Sequence, residues 1–117
     1  AGSLIKQQKS CLTIFLKINL QNMRIIRETS RFRKSFKKLS MSGDFSEKLK
    51  EVLSNVVDAI VRGEKLEVKY RDHELTGEFA GHRECHIKPD LLLIYYIENN
   101  DLVLVLVNLG SHNDLFG

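Results

Sequence analysis

Two apolar segments near the end of the 117-residue chain constrain its fold most strongly. Residues 91–97 and 102–109 are almost wholly apolar, which is typical of central strands that helices cover on at least one face. The Glu-Asn-Asn-Asp sequence at 98–101 lies between them and predicts a turn, because asparagine tolerates a positive φ. The sequence therefore predicts two adjacent central strands in a small sheet.

A first amphipathic helix is predicted after a short strand at residues 24–27. Thr29 or Ser30 can cap its N terminus, since a hydroxyl accepts a hydrogen bond from a free backbone N–H. The apolar face of this helix consists of Phe32, Phe36 and Leu39. Its remaining surface carries five basic residues, which are candidates for binding the phosphates or carboxylates of an anionic partner: Arg31, Arg33, Lys34, Lys37 and Lys38.

A second helix is predicted to follow at once. Asp44 and Glu47 have the spacing of a capping box, with an acceptor followed three residues later by a glutamate. Apolar residues then recur at helical spacing from Phe45 to Ile60, and Gly63 ends the pattern. Residues 41–43 would join the two helices as a helical hairpin.

The remaining segments complete an α+β fold. Residues 64–77 are polar and typical of a loop, residues 78–88 alternate as one or two strands, and a short terminal turn or helix follows Gly110. The predicted order is β-α-α-β-β-β, with an N-terminal strand and a helical hairpin packed on a small, mostly antiparallel sheet.

The N-terminal 22 residues are predicted to lie outside this domain, which spans residues 23–117. Ala-Gly-Ser at positions 1–3 is typical of residues left after tag removal, and Met23 is a candidate natural start. The apolar residues 12–16 are too few for a secretory signal. Two cysteines, Cys11 and Cys85, do not make a disulfide framework. We therefore expect a cytoplasmic protein without membrane partners.

Charge is distributed unevenly along the chain. Residues 1–43 contain ten Lys or Arg and one acidic residue, whereas residues 44–117 contain eight basic and fourteen acidic residues. A basic half on a small protein predicts an anionic partner, either a nucleic acid or an acidic protein. A solvated lysine-rich surface is the alternative interpretation.

The four histidines lie within positions 73–112 and suggest acid–base chemistry. Phosphodiester cleavage needs a base, an acid and positive charge, and this window also contains Lys88 and Asp90. Strand alternation would place His82, Glu84, His86 and Lys88 on one face, with Arg83, Cys85 and Ile87 on the other. His86, Asp90 and His112 are alternative metal ligands, but no HExxH or paired CxxC motif accompanies them.

Three motifs together resemble the YafQ branch of the RelE toxin superfamily. They are DHxLxG at 72–77, RxxHIxPDLLLIY at 83–95 and GSHxxLF at 110–116. The resemblance implies a small α/β toxin of a type II toxin–antitoxin system that cuts messenger RNA on the ribosome without a metal or other cofactor. In that chemistry the ribose 2′-hydroxyl attacks the adjacent phosphate. The catalytic positions that it implies are His73, His86, Asp90, His112 and Phe116.

The resemblance also implies roles and partners. His112 would be the general acid, while His73 and His86, with Asp90, would form the base and orienting side. The expected partners are a cognate antitoxin, the ribosome and mRNA, with operator DNA bound only through the antitoxin. A toxin–antitoxin hetero-oligomer is the expected assembly.

Two departures from the family pattern bear on activity. Asn108 stands where the family usually has an arginine that neutralises the transition-state phosphate, and Leu91 follows Asp90 where some members have tryptophan. Lys88 or Arg83 is a candidate replacement for the missing cation, and strand alternation favours Lys88. The alternative is therefore a weakly active or inactive binding module that pairs with an antitoxin, represses an operator or binds RNA.

Overall fold

The computed structural model describes residues 23–117, so the predicted N-terminal extension lies outside the described residues. The two long helices are α1, Ser30–Met41, and α2, Glu47–Val61, and the short α3 is His112–Phe116. The five strands are β1, Ile25–Glu28; β2, His73–Glu74; β3, Arg83–Lys88; β4, Leu91–Glu98; and β5, Val103–Gly110. Single 3₁₀ turns lie at Val68–Tyr70 and Gly77–Phe79.

The strands form one mixed sheet in the order β1-β5-β4-β3-β2. β1 pairs with β5 in parallel, and the other neighbours are antiparallel. The predicted α+β fold with a mostly antiparallel sheet is confirmed. β4 and β5 form the predicted central hairpin, and Asn99, Asn100 and Asp101 in its turn all have positive φ.

The core lies between the helical hairpin and one face of the sheet. Phe32 and Phe36 of α1 are buried there, and α2 contributes residues such as Leu53 and Val57. The facing side chains of the sheet are Cys85, Ile87, Leu91, Leu93, Tyr95, Leu104, Leu106 and Leu109. The opposite face of the sheet carries Glu84 and His86 together with buried apolar side chains such as Leu92 and Ile94.

The helix caps correct one prediction and confirm another. Thr29 caps α1, and its Oγ1 accepts a hydrogen bond from the Phe32 N–H at 3.0 Å. The prediction that Asp44 caps α2 is wrong: Ser46 does so and accepts from the Leu49 N–H at 3.1 Å. Phe45 is buried edge-on against Phe36. We attribute the start of α2 at Glu47, two residues later than an Asp44 cap would give, to this packing.

The segment between α2 and β3 also differs from the expectation. The predicted loop at 64–77 contains the short strand β2, which pairs with β3. Residues 78–82 are not a strand, because a 3₁₀ turn occupies Gly77–Phe79 and Gly81 has a φ of 89°. The His82 N–H donates to the Phe79 carbonyl at 2.9 Å and closes this loop. Within residues 23–117, no helix is long and apolar enough to cross a membrane.

Candidate active site

The side chains on the two faces of β3 lie in different environments, as strand alternation predicts. Cys85 and Ile87 point into the helix-covered core, so Glu84 and His86 point to the opposite face. Burial raises the pKa of the Cys85 thiol well above its usual range, which keeps it protonated and unreactive. The face of the sheet that carries Glu84 and His86 is therefore the candidate site.

A buried carboxylate between two histidines is the centre of this site. Glu84 Oε1 lies 3.2 Å from Nε2 of His73 and 3.6 Å from Nε2 of His86. The Glu84 side chain is 7% exposed, whereas those of His86 and His73 are 18% and 51% exposed. The structure thus brings together two predicted site residues, His73 and His86, through Glu84, which was not predicted to be part of the site. The sequence signal that could have identified Glu84 is its position two residues before His86, on the same face of the strand.

The pairing of β2 with β3 produces this arrangement. His73 is opposite Glu84 in the register, and facing residues of an antiparallel pair project their side chains to the same side. His86 lies two residues beyond Glu84 and shares that side. Its Nδ1 is buried and has no hydrogen-bond partner among the described residues. Its Nε2 is the nitrogen directed towards the carboxylate.

Arg83 is held on the other face of β3, away from the histidines. Its guanidinium contacts both carboxylate oxygens of Asp72, at 3.0–3.3 Å, and Asp72 also accepts a 2.6 Å hydrogen bond from the Tyr95 hydroxyl. The bond to Asp72 raises the pKa of Arg83, and burial followed by the same carboxylate raises that of Tyr95. The geometry therefore does not support the prediction that Arg83 binds the substrate phosphate.

A row of aromatic rings holds the C-terminal helix that carries His112. The ring centroids of His112 and Phe116 are 5.1 Å apart, and Phe116 packs edge-on against Phe79 at 5.4 Å. Phe79 contacts His82 at 5.8 Å, and His82 contacts Tyr96 at 4.9 Å. The structure brings the predicted residues His112 and Phe116 together. The sequence placed His82 on a strand face with Glu84 and His86, but it lies in the loop before β3 and packs in this aromatic row. Phe79 was not predicted as part of the site, and only the flanking glycines Gly77 and Gly81 marked its loop.

A capping box fixes the first turn of α3. The Ser111 hydroxyl accepts from the Asp114 N–H at 3.0 Å, and Asp114 Oδ2 accepts from the Ser111 N–H at 3.1 Å. The latter bond lowers the pKa of the Asp114 carboxyl. A side chain at Gly110 would place its Cβ 3.1 Å from Asp114 Cβ, so glycine suits this close approach. His112 is consequently fixed at the helix start.

The two halves of the site lie on β3 and at the end of β5, with β4 between them. His86 is opposite Leu92 in the register, and Leu92 is opposite Gly110, two residues before His112. Adjacent strands are about 4.8 Å apart, so the end of β5 lies about 10 Å from β3 at this level. This separation leaves room for a phosphate group between the His73–Glu84–His86 cluster and His112.

Asp90 and Asn108 occupy a separate cleft of about 440 Å³ between α1 and the ends of β3 and β5. Asp90 lies in the exposed turn after β3, and within residues 23–117 its carboxylate forms no hydrogen bond or ion pair. Asn108 Oδ1 accepts from the Ser35 hydroxyl at 2.7 Å. The described contacts thus do not join Asp90 to the histidines as predicted. Lys88 and Lys38 line the same cleft.

The basic residues predicted to bind RNA are all on the surface of α1. Phe32 and Phe36 of this helix face the core, and the intervening cations are exposed, namely Arg31, Arg33, Lys34, Lys37 and Lys38. The Arg33 guanidinium donates to the Glu28 carbonyl at 2.9 Å. The helix therefore presents a continuous positive surface beside the sheet.

The structure is thus a small α+β fold in which two histidines lie around a buried carboxylate and a third begins the terminal helix. Residues 24–117 match the family described as bacterial toxin of type II toxin-antitoxin system, YafQ. The chain belongs to this toxin family.

Named relatives agree with this assignment. The mRNA interferase toxin YafQ of Escherichia coli K12 is 42% identical over 48 residues, 41% of this chain, and the match spans half the length of that relative. A copper-bound mutant toxin from Helicobacter pylori is 36% identical with a TM-score of 0.71, over 80% of this chain and 99% of that one. YafQ in the E. coli DinJ–YafQ toxin–antitoxin complex is 27% identical with a TM-score of 0.69, over 80% and 98% of the chains.

Proposed function

We propose that this chain is an mRNA interferase, a ribosome-dependent endoribonuclease that inhibits translation. The observation that carries the proposal is the Glu84 carboxylate, which lies 3.2 and 3.6 Å from the imidazoles of His73 and His86, two strands from the end of β5 that leads to His112. Such a site supplies a general base and a separate general acid. The names of the relatives, mRNA interferase toxins, support the same chemistry.

The proposed reaction needs only proton transfers by this chain. His73 or His86 accepts the proton of a ribose 2′-hydroxyl, whose oxygen forms a bond to the adjacent phosphorus. His112 donates a proton to the 5′-oxygen as its bond to phosphorus breaks. The products are a 2′,3′-cyclic phosphate and a free 5′-hydroxyl. Glu84, rather than Asp90, orients the base, because it is the carboxylate that lies within 3.2 and 3.6 Å of the two imidazoles.

The partners follow from the charge distribution and from the relatives. The exposed cations of α1 fit ribosomal RNA phosphates during cleavage and the carboxylates of an antitoxin in the neutralised complex. A solved relative is a toxin–antitoxin complex, which supports a cognate antitoxin and a hetero-oligomer. Operator DNA would be bound only through the antitoxin. This function places the protein in the cytoplasm.

Cleavage mapping on ribosomes tests the proposal. Purified, antitoxin-free protein is added to ribosomes programmed with a defined mRNA, with and without a chelator, and cuts are located by primer extension. We expect cuts within the A-site codon that persist in the chelator and leave cyclic phosphate ends. Absence of cleavage by the folded protein would contradict the proposal and favour the binding module.

Charge reversal on α1 should separate binding from chemistry. Replacing Lys34 and Lys37 with glutamate is expected to weaken ribosome binding by 10-fold or more, because these exposed cations neutralise phosphates. Sedimentation with ribosomes at two salt concentrations measures the effect, and Lys48→Glu/Lys65→Glu, which reverses two exposed charges outside α1, is the matched control. Equal binding by both variants would show that α1 does not face the ribosome.

Restoring an arginine at position 108 tests the alternative function directly. Asn108→Arg breaks the hydrogen bond to Ser35 but supplies a cation for the developing negative charge, which is typically worth about 10²–10³-fold in rate. A gain of that size would show an intact but weakened catalytic site. Ser35→Ala, which removes the same hydrogen bond without adding charge, is the control. No gain with Asn108→Arg would indicate that Lys88 or another cation already serves the phosphate.

A second proposed property is inhibition by a divalent transition metal. One ligand atom each from His73, Glu84 and His86 lies within 4.8 Å of the others, and imidazole with carboxylate suits copper or zinc. A copper-bound relative supports the proposal. Since the metal would occupy the nitrogens needed for proton transfer, Cu²⁺ should stop cleavage and a chelator should restore it. Glu84→Gln should weaken Cu²⁺ binding, measured by calorimetry, whereas stimulation by Cu²⁺ would indicate a metal-dependent hydrolase.

A further inference from the structure

A second cleft, of about 340 Å³, lies at the edge of β3 between α2 and the 3₁₀ turn at Val68–Tyr70, and its lining includes Val52, His86 and Ile87. Its charged lining consists of Lys69, Arg71 and Lys88, and no carboxylate residue lines it. Residues 44–117 as a whole carry fourteen acidic and eight basic residues, so this part of the chain has a net negative charge. The charged lining of the cleft is instead entirely positive. The cleft next to Asp90, in contrast, includes three aspartates among its lining residues.

The segment before His73 is folded so as to present two of these cations. A 3₁₀ turn at Val68–Tyr70 is closed by a 3.0 Å hydrogen bond from the Arg71 N–H to the Val68 carbonyl. Arg71 itself has a φ of 52°, a left-handed backbone conformation that residues other than glycine rarely adopt. Such conformations are often found at functional sites. Lys69 lies 5.2 Å from the Tyr70 ring centroid and also contacts Glu67 at 3.4 Å.

We infer that this cleft is a binding subsite for a backbone phosphate of the mRNA strand beside the scissile one. The inference rests on the proposed function. Two of the lining cations are close in sequence to the proposed base residues. Arg71 lies two residues before His73, and Lys88 lies two residues after His86. His86 itself also lines the cleft. A strand held by the base at His86 would therefore continue into this cleft. Phosphate is the RNA group that a cluster of cations binds, and Glu67 pairs with only one of the three, Lys69.

Direct binding to a short RNA tests the subsite without requiring cleavage. The probe is a fluorescent single-stranded RNA octamer in which every 2′-hydroxyl is methylated, so that the attacking group is absent. Lys69→Gln/Arg71→Gln is compared by anisotropy with Lys48→Gln/Lys65→Gln, a control with the same loss of charge outside the cleft. We expect the first variant to weaken binding by 10-fold or more. Its log–log salt slope should be smaller by about 1.4, because each single-strand phosphate contact contributes about 0.7.

Two further measurements keep the inference distinct from the proposed function. Arg71→Gly suits the left-handed backbone, so it serves in place of Arg71→Gln if circular dichroism shows that the first variant does not fold. On ribosomes, the cleft variant should raise KM more than it lowers kcat.

Equal affinity of the cleft and control variants for the octamer overturns the subsite, even if wild type cleaves mRNA. A defect in ribosome binding without one in octamer binding assigns the cleft to ribosomal RNA and also overturns it. If wild type does not cleave mRNA but the octamer result holds, the proposed function alone fails.

Discussion

Replacement of His112 with alanine is expected to lower ribosome-dependent mRNA cleavage by about 10²–10⁴-fold, the range typical of a lost general acid or base. His112 begins α3, where the Ser111–Asp114 capping box and the Phe116–Phe79 contact fix its position. No other histidine is on this helix, so the leaving 5′-oxygen would have no equivalent proton donor there. Primer extension on programmed ribosomes measures the loss.

Ribosome binding provides the complementary measurement for His112. The α1 cations remain in place in the variant, so cosedimentation with ribosomes should be unchanged. Asn113→Ala, one residue further along the same exposed helix, is the matched control and should cleave as wild type. Undiminished cleavage by His112→Ala would remove this residue from the acid role. Loss of both cleavage and ribosome binding would show that it acts in binding instead.

Replacement of Phe32 with alanine should produce the largest loss of stability, about 3–5 kcal/mol in the free energy of unfolding. Phe32 is fully buried and packs against Phe36 at 6.0 Å between the centroids, so its removal leaves a cavity between α1 and the sheet. Urea denaturation monitored by circular dichroism measures the change. Both proteins are made in the His112→Ala background, in which we expect cleavage, and with it toxicity to the host, to be reduced.

An exposed residue on the same helix provides the control for Phe32. Met41 is 76% exposed at the end of α1, and Met41→Ala should change the free energy of unfolding by less than about 0.5 kcal/mol. A loss below about 1 kcal/mol for Phe32→Ala would contradict its position in the core. Similar losses for both variants would indicate an effect on helix formation rather than on packing.

Much of the secondary structure could be predicted because its signals are local. Apolar spacing of 3.6 residues located both helices, and two apolar runs around an asparagine turn located β4 and β5. Alternation placed Glu84 and His86 on the face opposite Cys85, because it depends only on backbone geometry. The same rule directed Arg83 away from the histidines.

Other features depended on contacts between distant segments. Burial of Phe45 against Phe36 moved the cap of α2 from Asp44 to Ser46, which competing local signals could not decide. β2 is only two residues long, and its pairing with β3 gives it a defined position. Only this pairing places His73 opposite Glu84. Glu84 could therefore not be identified from the sequence as the carboxylate of the site.

The sequence by itself determined the helices, the central strands, the residue types of the site and the family, because periodicity and motif spacing are properties of the chain. The tertiary structure alone decided which of those residues meet. It joined His73 and His86 through Glu84, left Asp90 in a separate cleft and tied Phe116 to Phe79. The physical reason is that these contacts come from strand register and side-chain packing across many residues, and neither is encoded in a local pattern.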